Sequence, residues 1–191
     1  MKKILRSNYR PVAPSPAAMI TSVDKEGNPN IITLGEVFNI SIRQPVIMGI
    51  SIRSATYSHS LIESSGEYVI NLTTSALVKK VDLCGTVSGR NGFDKFKQYG
   101  LTPVPAKFVK PPLIGECPVN IECKVIGIQK IGDHDLILGE VAAVHADSEI
   151  VDENGDLNWE HPDLLVYMTG SYWSLGKKLG DLYYTREKDK D

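Results

Sequence analysis

"VNIECKVIGIQKI" (Val119–Ile131) and "DHDLILGEVAAVHAD" (Asp133–Asp147) stand almost end to end in the chain. The first alternates, with Val119, Ile121, Cys123 and Val125 on one side. A period of two is the mark of a strand with a buried face. The second reads as another long strand, bent at Gly139.

More strands appear on both sides. "AAMITSV", the turn signal "DKEGN" and "PNIITLGEV" make a hairpin. "PVIMGISI" is a third strand of this N-terminal part, opened by Pro45, and "YVINL" a fourth; "DLLVYMTG" closes the set. Helical pieces are short. One lies near 56–65, with Tyr57, Leu61 and Ile62 on its apolar face and Gly66 at its end. "SALVKKVDLCG" is a second, with Leu77, Val81 and Leu83, and "FDKFKQYG" a third. No strand–helix–strand rhythm repeats, and no Gly-rich dinucleotide fingerprint is present, which argues against a doubly wound parallel sheet. The pattern predicts a mainly β protein, an antiparallel barrel with a few inserted helices. "SEIVDENGDLNWEHPDL" reads as an exposed excursion and "YTREKDKD" as a frayed charged tail. Without a linker or repeat, residues 1–191 read as one domain.

The 191 residues suffice for one full core, and 42% hydrophobic with 23% charged residues is ordinary globular composition. No apolar run reaches the roughly 20 residues of a membrane helix, and "MKKILRSNYRPVAPSP" lacks the apolar centre of a signal peptide. The expectation is a cytoplasmic protein with no membrane partner. A net charge of −2 without a dense basic run argues against nucleic acid. Cys84, Cys117 and Cys123 show no metal or redox spacing; Cys117 and Cys123, six apart in a strand-like segment, read as two buried thiols on one face.

"SIRSATYSHSLIESSGEYVINL" (Ser51–Leu72) puts Arg53, Ser54, Thr56 and Ser58 at a helix entrance. Hydroxyls gather there to cap free amides, which accounts for Thr56 and Ser54. Arg53 is not a cap, because a cation is unfavourable at the positive end of a helix. Either it is solvated, or an anion such as phosphate sits between it and the amides. "TLGEVFNIS" (Thr33–Ser41) breaks its alternation at Gly35; it reads as exposed amides facing a flat ring, or as a β-bulge with Glu36 in solvent. "CGTVSGRNGFDKF" (Cys84–Phe96) either wraps an anionic ligand with Arg90 and Lys95 or merely connects two helices. His59, His134, His145 and His161 show no metal-ligand spacing; His59 reads as a helix-surface residue and His134 as part of a "GDHD" turn. No nucleophile–base pair stands out and no catalytic residue is assigned, which fits a protein whose chemistry belongs to a cofactor.

Taken in order, "NIITLGEVFNISIRQPVIMGISIRSATYSHSLIESSGEYVINL", "CGTVSGRNGFDKF", "GDHDLILGEVAAVHAD" and "YWSLGKKLG" resemble the flavin reductase-like family, which includes flavoredoxins. The likeness runs from about Ala13 to Gly180. It implies an FMN-binding split β-barrel of Greek-key type, usually a homodimer. Carried over, Ser51, Arg53, Ser54, Thr56, Tyr57 and Ser58 would hold the FMN phosphate, with Arg53 as principal cation. Thr33 and the loop Gly35, Glu36, Val37, Phe38 and Asn39 would lie along the isoalloxazine. Ser88, Gly89, Arg90 and Lys95 would close over the flavin. Where some relatives carry Trp, this chain has Glu36 and Val37. The implied function is an FMN oxidoreductase drawing electrons from NAD(P)H or a small redox protein. The alternatives are a flavin-binding electron carrier without turnover, and a pyridoxamine-phosphate-oxidase-like FMN protein.

Overall fold

The computed structural model describes residues 1–5, 11–160 and 162–186; His161 and the end of the charged tail lie outside them. In chain order the strands are β1 (Ser15–Pro16), β2 (Ala18–Val23), β3 (Pro29–Leu34), β4 (Val37–Ser41), β5 (Ile47–Ile52), β6 (Glu67–Leu72), β7 (Pro103–Val104), β8 (Leu113–Ile114), β9 (Val119–Ile131), β10 (His134–Ala146), β11 (Leu165–Met168) and β12 (Ser171–Ser174). The helices are α1 (Tyr57–Ser65), α2 (Val78–Thr86) and α3 (Lys95–Tyr99).

Seven strands form one sheet in the order β3-β2-β6-β9-β10-β5-β4, antiparallel throughout. Laid flat at about 4.8 Å per strand, it would hold β3 and β4 about 29 Å apart. Only Gly35 and Glu36 separate Leu34 from Val37, a reach of at most about 11 Å. The sheet therefore rolls up. One inner face results, shared by Ile20, Leu34, Val37, Ile50, Tyr68, Cys123 and Ile137, with Ile62 of α1 packed among them. This is the antiparallel split barrel with few helices that the sequence led us to expect. A second apolar layer lies outside β2 and β3, where Met19 and Ile31 meet Val81 and Cys84 of α2 and Phe96 of α3.

The β2–β3 hairpin forms at "DKEGN", its turn held by Asp24, whose carboxylate accepts the Glu26 and Asn28 amides at 3.0 and 2.8 Å. The expected bend at Gly139 coincides with a register shift between Leu138 and Gly139. A Cβ at Gly139 would overlap the Tyr68 hydroxyl, so the bare backbone makes room for that buried ring.

Several local expectations need correction. "PNIITLGEV" is not one strand: β3 stops at Leu34 and β4 begins at Val37. Cys117 and Cys123 do not share a face. The chain turns before β9 begins, leaving Cys117 in the outer layer and Cys123 inside the barrel; both thiols, like Cys84, are free and buried. The second face of β9 is also covered at its start, at Asn120 and Glu122. Asn120 donates to Asn71 Oδ1 at 2.8 Å, and the fully buried Glu122 accepts the amides of Lys107, Phe108 and Val109 at 2.8, 2.6 and 3.1 Å. His145 Nε2 lies 2.6 Å from the same carboxylate.

Candidate functional site

The chain leaves β5 at Ile52 and turns sharply into α1. Arg53 O accepts both the amide and the hydroxyl of Thr56, at 3.0 and 2.9 Å. Thr56 is extended (φ −76°, ψ 150°), and its hydroxyl oxygen accepts the His59 amide at 3.3 Å. Thr56 is thus the N-cap that its residue type suggests. The first-turn amides ahead of His59 have no acceptor within the helix, and no acidic side chain stands in that turn. His59 is buried rather than surface-exposed: its Nε2 lies 2.8 Å from Asp135 on β10, which pins the first turn of α1 to the barrel.

Two cavities meet at this entrance. The larger, about 370 Å³, is lined by Thr33, Gly35, Glu36, Arg53 and Thr56 among the expected residues. The smaller, about 240 Å³, is lined by Thr56, Tyr57, Ser58, Ser88, Gly89, Arg90 and Lys95. Ile32, Thr56, Gly85 and Thr86 line both, so the two form one groove. Five expected residues lie elsewhere. Val37 is in the barrel core, Phe38 borders a separate apolar cleft, and Asn39 is exposed on β4. Ser51 sits on β5 opposite Leu136, and Ser54 is exposed outside both cavities. Glu36 is half-buried against the groove, not a bulge side chain in solvent.

The groove includes residues that local patterns did not mark. Asn30 donates to Ser58 Oγ at 2.7 Å, while its own carbonyl oxygen is buried without a partner in the smaller cavity. His134 opens β10 instead of sitting in a turn and reaches the larger cavity; its Nδ1 lies 2.9 Å from the Asp133 carboxylate. Tyr167 and Tyr172 form an edge-on aromatic wall there, 5.8 Å between ring centroids. Burial, helped by the nearby Asp82 carboxylate, pushes the Tyr172 phenol up to about 12, so it remains a neutral donor. Tyr172 opens the resembling stretch "YWSLGKKLG" and Tyr167 lies in the strand "DLLVYMTG", but neither was singled out as a site residue.

Two expected polar contacts have their donors engaged. The Thr33 hydroxyl donates to Val81 O at 2.5 Å. Lys95 is buried, and its ammonium donates to Ile31 O at 2.6 Å and Cys84 O at 2.8 Å. Burial lowers its pKa. Lys95 therefore ties α3 to β3 and α2 while its side chain borders the groove.

The "Flavin reductase like domain" family model matches residues 10–176. The chain belongs to the flavin reductase-like family. Among solved members of this fold, flavoredoxin of Desulfovibrio vulgaris (Miyazaki F) superposes with a TM-score of 0.86 at 30% identity, covering 96% of this chain and 98% of that one. A protein of Archaeoglobus fulgidus without assigned function is 36% identical over 142 residues, 74% of this chain and 77% of its own. An NADH:riboflavin 5'-phosphate oxidoreductase of Streptomyces pristinaespiralis is 25% identical over 126 residues, 65% of this chain and 67% of its own. Family membership assigns the chain a flavin-dependent redox function. Among the described residues, no helix is long and apolar enough to cross a membrane.

Proposed function

We propose that the chain is an FMN-dependent oxidoreductase, drawing electrons from a reduced nicotinamide and passing them through flavin to an acceptor. The observation that carries this reading is the continuous groove meeting a capped helix entrance between two arginines. The entrance suits a phosphate: free first-turn amides, the Thr56 cap, Arg53 from one cavity and Arg90 from the other. The larger cavity suits a flat ring, with Gly35 and Gly85 permitting close backbone approach and Tyr167 and Tyr172 as one wall. Asn30 offers an unused buried acceptor to a ligand N–H. The residues present therefore fit FMN.

When bound, FMN supplies the electron chemistry. The chain binds its phosphate, orients its ring and limits water around it. The homodimer expected of this family belongs to the same proposal. The relative named as an NADH:riboflavin 5'-phosphate oxidoreductase supports a nicotinamide donor. The flavoredoxin likeness keeps a second reading in view, a carrier reduced by a partner protein.

The test is a titration of purified chain with FMN, followed by anaerobic addition of NADH or NADPH. Saturable flavin binding and bleaching by a nicotinamide are expected. Binding without bleaching by either nicotinamide would favour the carrier. No binding would remove both readings.

A further inference from the structure

Beyond β12 the chain runs on as an arm, residues 175–186, without helix or strand. Leu179 and Leu182 are 88% and 82% exposed, and Tyr183 and Tyr184 are exposed as well. No residue of the arm belongs to an apolar core. Large apolar side chains gathered in water mark a contact surface. Leu175, Leu179 and Leu182 recur at steps of four and three, one face of a helix, which is the pattern of a segment that docks in a groove. The arm's shape is also a costly one. Tyr183 has a φ of 65°, in the left-handed region that bulky residues seldom adopt.

A cleft of matching character lies on the same chain. It encloses about 390 Å³ and is lined by Val12, Pro14, Pro16, Val37, Phe38 and Tyr167. It shares Gly35, Glu36 and Tyr167 with the larger groove cavity, so whatever fills it covers one flank of the groove. Phe38 carries the apolar surface on along edge strand β4 to the exposed Ile40. Among the described residues of the cleft wall Glu36 alone is charged, opposite in sign to Lys177 of the arm. The arm does not close the cleft of its own chain. None of its residues lines it. Leu175 starts in a separate apolar recess that also borders β1, and Lys178 holds the arm to Glu160 at 3.0 Å. The seven residues from there to Leu182 span at most about 25 Å, enough to reach a second molecule.

We propose that two copies of the chain exchange these arms. Residues 175–184 of each copy lie in the cleft of the other, with Leu179 and Leu182 against Pro14, Phe38 and Tyr167. The contact is isologous and closes as a dimer. Each groove thereby gains a wall from the partner copy. The proposal rests on the homodimer reading above and names the segment that completes it.

The test joins the two places covalently. A full-length Val12→Cys/Tyr184→Cys chain is treated with a short bismaleimide, the native thiols being buried. A covalent dimer on a denaturing gel is expected, with peptide mapping placing the link between positions 12 and 184 of different copies. The same link within a single chain would overturn exchange in favour of self-closure. No link at these positions, with a wild type that sediments as a dimer, would overturn the exchanged arm alone. Independently, Leu182→Ser should weaken dimerisation at least about a hundredfold, the scale of one leucine unburied on each arm, and leave the far-UV circular dichroism spectrum unchanged. Unchanged dimerisation would overturn the proposal too. A monomeric wild type would instead overturn the homodimer reading beneath it.

Discussion

Arg53 is an exposed cation beside a capped helix entrance that holds no carboxylate in its first turn. A charge-assisted hydrogen bond contributes about 1.5–3 kcal/mol, and about 1.4 kcal/mol is tenfold in affinity. Arg53→Ala should weaken FMN binding by roughly ten- to a hundredfold and leave riboflavin, which lacks the phosphate, nearly unchanged. Paired titrations decide; equal losses for both ligands would make Arg53 an ordinary solvated residue. Lys95 poses the opposite case. Lys95→Met keeps the volume but strips the donor from Ile31 O and Cys84 O, and each buried unpaired acceptor costs about 1–3 kcal/mol. Urea unfolding should show a loss of at least about 2 kcal/mol; an unchanged midpoint would mean that those carbonyls find other donors. The Thr56 cap could be read from the sequence because capping acts between near neighbours. The engagement of Lys95 could not, because one of its acceptors, Ile31, lies 64 positions away.

At the scale of elements, β9 shows both the power and the limit of periodicity. Alternation located the strand and its apolar side correctly. It gave no warning that the opposite side is buried at Asn120 and Glu122, since polar residues there read as solvent-facing; only further on, at Lys124 and Ile126, is the strand exposed. Glu122 shows the cost of that side. Burial alone would raise its pKa, but the Lys107 amide, His145 and the Phe108 amide outweigh burial and hold the carboxyl below its ordinary value. A depressed folded pKa means that the stabilisation is fully present above the unfolded value of about 4.3 and is lost as pH falls through the lower folded value. Urea midpoints for wild type and Glu122→Gln should therefore differ clearly at pH 7 and converge towards pH 3. A gap independent of pH would show that charge on Glu122 is irrelevant. The same logic of distant tethering applies to α1, whose entrance is fixed by His59 against Asp135 on β10. Asp135→Asn should weaken FMN more than it weakens riboflavin, because the helix entrance meets only the phosphate. A uniform loss measured in the same titrations would assign the pair to general stability.

For the molecule as a whole, the barrel was legible in strand count and in the want of covering helices. Many groove residues were named through the family resemblance, but local patterns did not join them, because they are spread between Ala17 and Tyr172 and meet only when the sheet closes. The outer surface carries a further message. Phe38 and Ile40 of edge strand β4 lie across Gly49 on β5, 39% and 48% exposed, and Ile42 beyond them is 77% exposed. An edge with this apolar content supports the homodimer we propose. Sedimentation with FMN at micromolar concentration should give a dimer and Ile40→Asp a monomer; a monomeric wild type would sink it. The three free thiols have a practical outcome of another kind. They are closed into two separate cores, and burial pushes Cys84 up to about 11 and Cys123 up to about 12, with Cys117 higher still. The folded chain should be silent to maleimides and to Ellman's reagent and should reveal all its thiols only in denaturant. A dye or spin label on a single engineered surface cysteine would then report from one known address, with no native cysteine to remove first.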